Sequence, residues 1–174
     1  VLQILVMFLT HTHNLQIMYL NQLHLIIERD YNLNIWAYAR IDTIRESMLD
    51  KLKSAGFNWL GLGIESASSF VRDGMAKGNF GSEMIYSAVD AVRVHDIAVG
   101  ANYIFGLPDD TQESMEETLD LAMELNTEWA NFYCAMAYPG SPLYEEAKAK
   151  KWPLPFVSQC PLGIGLMGRA EIKG

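Results

Sequence analysis

The chain has 174 residues, 50% of them hydrophobic, which is enough to bury one sizeable core and too few to promise two. Its 13 Lys+Arg against 21 Asp+Glu leave a formal charge of -8, which argues against nucleic acid as a direct partner, because a phosphate backbone needs clustered positive charge. The two cysteines, Cys134 and Cys160, are far apart and share no ligand-like spacing, so a disulfide framework has no support and a reducing, cytoplasmic setting is expected.

The opening run from Val1 to Leu9 is apolar, lacks a basic front, and falls well short of the roughly 20 residues of a membrane helix, so it reads as a buried strand. The sequence begins already inside that run, and a preceding segment is expected. His11, Thr12, His13 and Asn14 follow as a loop, and Leu20, Leu23, Ile26 and Ile27 then fall on one helical stripe. Leu33 to Ala39 alternates and is rich in strand formers. Thr43-Ile44-Arg45-Glu46 matches a capping box, opening a helix that Gly56 closes.

The third apolar run, Asn58 to Ile64, ends at Glu65 and Ser66. Beyond a glycine-punctuated stretch, Ser82 is expected to cap a helix that buries Ile85, Ala88, Val89 and Val92. Ile97 to Phe105 reads as a fourth strand and Gly106 to Thr111 as a turn with helix-capping residues. Met115, Leu119, Ala122 and Met123 are the expected buried face of the next helix. Ala130 to Ala137 reads as a fifth strand. Tyr138-Pro139-Gly140 turns the chain, and Ser141-Pro142 opens a helix that runs into Lys148, Lys150 and Lys151. Residues 152–174 show no clear periodicity and are expected to be an irregular tail.

Strands alternating with helices across short loops imply an α/β fold with parallel strands joined by right-handed crossovers. In such folds ligands bind at the carboxyl ends of the strands. Those positions here are His11 and His13, Arg40 and Asp42, Glu65 and Ser66, Gly106 to Thr111, and Tyr138 to Ser141. Glycines at 61 and 63 leave room for a ligand or another backbone to approach. Glu65 there is either a carboxylate for an ammonium or a ribose diol, or the partner of Arg40 in a structural ion pair, the commoner arrangement. Asn102, polar within an apolar run, either faces a ligand or ties two strands together. His11 and His13 could reach one metal from one strand face, but two ligands do not make a site, and a loop is the favoured reading, so no metal site is assigned.

Four segments, Ala39-Arg40-Ile41-Asp42, Leu62-Gly63-Ile64-Glu65-Ser66, Tyr103-Ile104-Phe105-Gly106-Leu107-Pro108-Asp109-Asp110-Thr111 and Ala137-Tyr138-Pro139-Gly140-Ser141-Pro142-Leu143-Tyr144, stand in this order at successive strand ends. Together they resemble the radical S-adenosylmethionine (SAM) superfamily, particularly the branch that carries an N-terminal cobalamin-binding domain. The resemblance implies a partial (β/α)6 three-quarter TIM-like barrel over residues 1–151, with the five strands as its second to sixth. The parent enzyme would cleave SAM reductively at a [4Fe-4S] cluster, generating a 5'-deoxyadenosyl radical that acts on a small-molecule substrate. Methyl transfer or ring formation would follow if a cobalamin domain lies upstream.

By the same resemblance Glu65 and Ser66 contact the amino or ribose portion of SAM, and Arg40 is a cation near it. Asn102 and the backbone of Ile104, Phe105 and Gly106 line the SAM and adenine pocket, and Tyr138 to Ser141 lie beside the adenine. The family's C-x-x-x-C-x-x-C loop has no counterpart in the sequence, so the cluster ligands and the first barrel strand are expected outside this chain, and the fragment alone is expected to be inactive. Cys134, in the fifth strand, reads as a small core hydrophobe. Two rival readings are a non-catalytic barrel-derived binding module and an unrelated TIM-barrel enzyme using Glu65 as acid or base; a closed barrel would need about 250 residues.

Overall fold

The computed structural model describes residues 2–8, 23–74, 80–152 and 154. His11 and His13, Leu20 of the first helical stripe, Cys160 and the tail from 155 onward lie outside them. The chain divides into two compact units, Val1–Cys134 and Ala135–Gly174. In the first, β1 (Leu2–Phe8) is followed by helical residues 23–28 (α1), β2 (Leu33–Arg40), a 3-10 turn (Ile41–Thr43) and α2 (Glu46–Ser54). Then come β3 (Phe57–Glu65), α3 (Ser69–Gly74), α4 (Ser82–Val94), β4 (Ala98–Phe105), α5 (Gln112–Leu125) and β5 (Trp129–Cys134). The second unit contributes α6 (Pro142–Ala149).

The sheet has five strands in the order β1-β2-β3-β4-β5, every neighbouring pair parallel. Strand order that follows chain order without reversal puts every right-handed crossover on the same side, which is how a barrel wall is built rather than a doubly wound sheet. Period-two alternation sorts the residues accordingly. Ile35, Ala37 and Ala39 of β2, Leu60, Leu62 and Ile64 of β3, and Val99, Ala101 and Tyr103 of β4 are buried in one core with Leu49 and Leu52 of α2 and with Ile85, Ala88, Val89 and Val92 of α4. Leu121, Ala122 and Leu125 of α5 complete it. The opposite face of the sheet carries the polar and aromatic residues described below.

Several local expectations are corrected. Thr43 does not cap a helix: it lies in the 3-10 turn, its hydroxyl donates to Arg40 O at 2.8 Å, and α2 starts at Glu46 behind Arg45, which supplies no side-chain cap. Gly56 does close α2, at φ +92, where a Cβ would meet Leu33 O at 2.6 Å. Ser82 is the first residue of α4 rather than its cap, a place held by Gly81. The buried face of α5 is Ser114, Thr118, Leu121, Ala122 and Leu125, while Leu119 and Met123 are exposed. That is a rotation of about one residue, 100°, from the hydrophobic stripe. It arises because buried Ser114 and Thr118 satisfy nearby backbone groups. β5 stops at Cys134, whose side chain is exposed rather than in the core.

The turn between β4 and α5 forms as its sequence suggests. Gly106 takes φ +78, Leu107 N donates to Asp110 Oδ2 at 3.0 Å, and Thr111 and Ser114 make a reciprocal capping box. In the second unit Ser141 caps α6 by accepting from Tyr144 N, with Pro142 at the first helical position. No helix among the described residues is long and apolar enough to cross a membrane.

Candidate functional site at the carboxyl ends of β2, β3 and β4

The register places residues of the open face in rows across the sheet. One row pairs Trp36 with Trp59 and Ala98; the next runs Tyr38, Gly61, Gly100 and Trp129; the third runs Arg40, Gly63, Asn102 and Asn131. Glycine in the middle row lets large rings from both sides lean inward. A Cβ on Gly61 would stand 2.9 Å from Tyr38 Cδ1, and one on Gly100 would stand 2.6 Å from Trp129 Cε3. Trp36 meets Trp129 edge-on at 5.8 Å and Tyr38 at 4.5 Å between ring centroids. The first two rows thus form an aromatic floor, and the space expected to admit a ligand at Gly61 is filled by the chain's own rings.

The third row is polar, and Glu65 belongs with it. Ser66 N donates to Ile64 O at 2.9 Å, so Glu65 is the centre of a three-residue turn, and its φ is +68. The positive-φ form of that turn is rare and strained, and left-handed backbone costs a non-glycine residue about 1–2 kcal/mol. The turn carries the carboxylate back over Gly63, where a Cβ would lie 2.9 Å from Glu65 Oε1. Glycine at 63 therefore makes room for this carboxylate.

Arg40 turns its fork to Asp42. Its Nε and Nη2 donate to Asp42 Oδ1 and Oδ2 at 3.0 and 2.8 Å, the bidentate geometry of a strong ion pair. The bond to Asp42 raises the guanidinium pKa above its ordinary value against the opposing effect of burial, with the Asp42 and Glu65 charges adding to the rise. Asp42 and Glu65 thus both act on the one guanidinium.

Asn102, 7% exposed, ties strands together: its Nδ2 donates to Leu62 O of β3 at 3.4 Å, and its Oδ1 accepts from Asn131 Nδ2 of β5 at 3.3 Å. Asn131 also donates to Tyr133 Oη at 2.6 Å. Ile104 and Phe105 continue β4 to the rim, with Phe105 against Phe132 at 5.4 Å. Among the described residues nothing lies within 4 Å of a Cβ built on Gly106. Tyr138, in the second unit, is exposed, its hydroxyl donating to Met136 Sδ at 3.4 Å and its carbonyl accepting from Ser141.

Ser66 is fully buried and faces inward. Thr118 Oγ1 accepts from Ala67 N at 2.9 Å and spends its one proton on Ser114 O at 2.7 Å, so at the 3.3 Å contact between the two hydroxyls Ser66 must donate. Ser66 Oγ also accepts from Ser68 N. Sequence reading missed Thr118, and it missed Arg72, whose Nη1 donates to Ser66 O at 2.5 Å and Ala67 O at 2.8 Å. It also missed Asn131, although the alternation Trp129, Asn131, Tyr133 at the spacing of Gly100, Asn102 and Ile104 was a usable signal.

The donor set fits SAM: a carboxylate at a strand end suits an ammonium, beside backbone and amide groups that can meet a carboxylate or ribose. It does not fit an iron-sulfur cluster, which needs several thiolates, since among the described residues Cys134 is the one cysteine. Nor, among the described residues, do three or more His, Cys, Asp or Glu gather where they could hold a metal ion.

Comparison with known proteins adds the lineage. The model of the Radical SAM superfamily matches residues 5–122. An uncharacterized methyltransferase of Pyrococcus horikoshii is 33% identical over 113 residues, covering 65% of this chain and 24% of that protein. An anaerobic magnesium-protoporphyrin IX monomethyl ester cyclase of Rubrivivax gelatinosus is 29% identical over 123 residues, covering 70% and 22%. Among solved structures, the radical SAM methyltransferase TsrM of Kitasatospora setae, with cobalamin and a [4Fe-4S] cluster bound, superposes with a TM-score of 0.68 at 22% identity, over 79% of this chain and 27% of that one. The chain therefore spans about a quarter of the length of the proteins it matches, and its fold is a portion of their TIM-like barrel. The family uses SAM and a [4Fe-4S] cluster, and by sequence and fold together this chain belongs to the radical SAM superfamily.

Proposed function

We propose that the chain is the SAM-holding wall of a radical SAM enzyme, residues 1–151 forming barrel strands two to six while the first strand and the cluster cysteines lie elsewhere in the complete polypeptide. The observation that carries this reading is the Glu65 carboxylate folded over Gly63 at the end of β3, in the row shared with Arg40 and Asn102. Glu65 takes the ammonium of SAM, Arg40 sets the local charge, and Asn102 fixes the spacing of β3 and β4 beneath it. The backbone of Ile104, Phe105 and Gly106 at the end of β4 is assigned to the adenosyl portion, and Tyr138 to the adenine. Ser66 contributes by closing the turn that carries Glu65, its hydroxyl being committed to Thr118.

The cluster, held by residues outside those described, supplies the electron for SAM cleavage. Methyl transfer with cobalamin from an upstream domain is the favoured outcome, supported by the likeness to methyltransferases, and ring formation on a small-molecule substrate the alternative, supported by the likeness to a cyclase. A cytoplasmic setting suits the oxygen sensitivity of such chemistry. The test is calorimetry of SAM binding to the full polypeptide, reconstituted anaerobically with iron and sulfide. Glu65→Ala is expected to weaken binding about 10- to 100-fold, the worth of one charge-assisted bond. An unchanged affinity in a folded variant would remove Glu65 from the site.

A further inference from the structure

We infer that Arg72 and Thr118 are positioning residues for Glu65: they clamp the backbone leaving β3 so that the strained turn keeps the Glu65 carboxylate over Gly63. The inference rests on Glu65 being the SAM-binding group proposed above. Glu65 sits at φ +68 in a three-residue turn closed by Ser66 N and Ile64 O. A residue held in such a conformation persists only where its surroundings over-determine it.

The surroundings here are two side chains from different helices. From α3, Arg72 donates to the carbonyls of Ser66 and Ala67, and with Nη2 to Phe80 O at 2.6 Å. From α5, Thr118 accepts the Ala67 N–H and the Ser66 hydroxyl. The Ser66–Ala67 segment is therefore gripped on its carbonyls by one residue and on its amide and hydroxyl by the other, directly after Glu65. Thr118 donates its own hydroxyl proton to Ser114 O, and Ser114 completes the capping box with Thr111 after β4. The clamp thereby joins two of the strand ends that carry the site.

Arg72 is an expensive way to fill space. It is 1% exposed, its Nη1 and Nη2 donate to the backbone carbonyls of Ser66, Ala67 and Phe80, its Nε has no hydrogen-bond partner among the described residues, and Phe80 lies under its guanidinium at 4.8 Å. Burial lowers its pKa against the pull of Asp73. A buried guanidinium is retained at such a desolvation cost only if an apolar side chain of similar size cannot do its work, and its work here is to orient backbone carbonyls.

The experiment measures SAM affinity by calorimetry and melting temperature on the full, anaerobically reconstituted polypeptide. Thr118→Val keeps the volume and removes the hydroxyl; Arg72→Lys keeps the charge and removes the fork. Each is expected to weaken SAM binding about tenfold, while Thr118→Ser restores affinity to within about twofold. In a Glu65→Ala background the same changes are expected to cost no further affinity, although they lower the melting temperature as before. That non-additivity is what a merely structural role would not produce. Folded T118V and R72K proteins that bind SAM as tightly as wild type, or losses that add in full to that of Glu65→Ala, overturn the inference. If T118V does not fold, R72K decides; if neither folds, the residues are scaffolding and the inference falls. Glu65→Ala without any effect overturns the site itself, a separate result.

Discussion

A Cβ at position 63 would lie 2.9 Å from Oε1 of Glu65, so the Glu65 carboxylate occupies the volume that a side chain at Gly63 would claim. The clash is with the tip of a flexible side chain, and Gly63→Ala is expected to cost the fold no more than about 0.5 kcal/mol. It should nevertheless displace the carboxylate and weaken SAM binding about tenfold. Gly100→Ala makes the opposite pattern: its Cβ would stand 2.6 Å from the rigid ring of Trp129, an overpacking that costs about 1–3 kcal/mol. Thermal melts and calorimetry on the two variants separate them, and equal effects on stability would contradict this assignment of roles.

Tyr103 supplies a second test, on the core face of the sheet. Its hydroxyl is buried with no hydrogen-bond partner among the described residues, and burial, with Tyr86 adding to it, pushes the phenol up to about 12 from 10.0. The neutral form is thus favoured by folding, and the associated stability is complete below pH 10 and lost as the pH climbs from 10 through about 12. That loss is of order 2 kcal/mol. Tyr103→Phe is expected to match or slightly exceed wild-type stability at neutral pH, because an unsatisfied hydroxyl is removed. It should also flatten the alkaline end of a stability profile measured by urea unfolding.

The strands were legible in the sequence, because Ile35, Ala37 and Ala39 alternate in period two and the runs through Leu62 and Ala101 are too apolar to face water on the helix side. The rim was legible for a topological reason: strand ends converge wherever right-handed crossovers repeat. What failed were positions where polar side chains are buried for the sake of backbone groups. Hydrophobicity put Leu119 and Met123 inward, whereas α5 turns Ser114 and Thr118 inward to serve its own cap and the Ala67 amide. The expectation that Ser66 meets a ligand could not foresee that its hydroxyl points inward, since only the proton accounting with Thr118 reveals that. Arg72 had no sequence signal beyond a cation in a short helix, because the carbonyls it binds are set by tertiary structure.

Glu128 should control part of the acid limb. Burial would raise its pKa, but the Val99 N–H at 2.8 Å and Arg93 at 3.0 Å prevail and hold the carboxyl below its ordinary value. The stability it contributes is present above pH 4.5 and lost as the pH falls through the depressed pKa. Its side chain is 39% exposed, so solvent screens the pair, and Glu128→Gln is expected to cost no more than about 1 kcal/mol at neutral pH. The variant's stability should also vary less between neutral and acidic pH than that of wild type, as read by denaturant midpoints.

Asp42 should act on SAM binding without touching SAM. Its bidentate bond to Arg40 offsets part of a positive charge that the Glu65 carboxylate also feels. Asp42→Asn removes the neutralising charge and leaves one amide oxygen to accept, so Arg40 turns more of its field on the Glu65 carboxylate and competes with the SAM ammonium. The expected loss of affinity is about two- to fivefold. Arg40 is 38% exposed in its side chain, so the effect should shrink as salt is raised from about 50 mM to about 500 mM, where the screening length falls to a few ångströms. In a Glu65→Ala background Asp42→Asn should do nothing to affinity, because the carboxylate over which the two cations compete is gone. A loss that persists there would mean that Arg40 meets SAM directly.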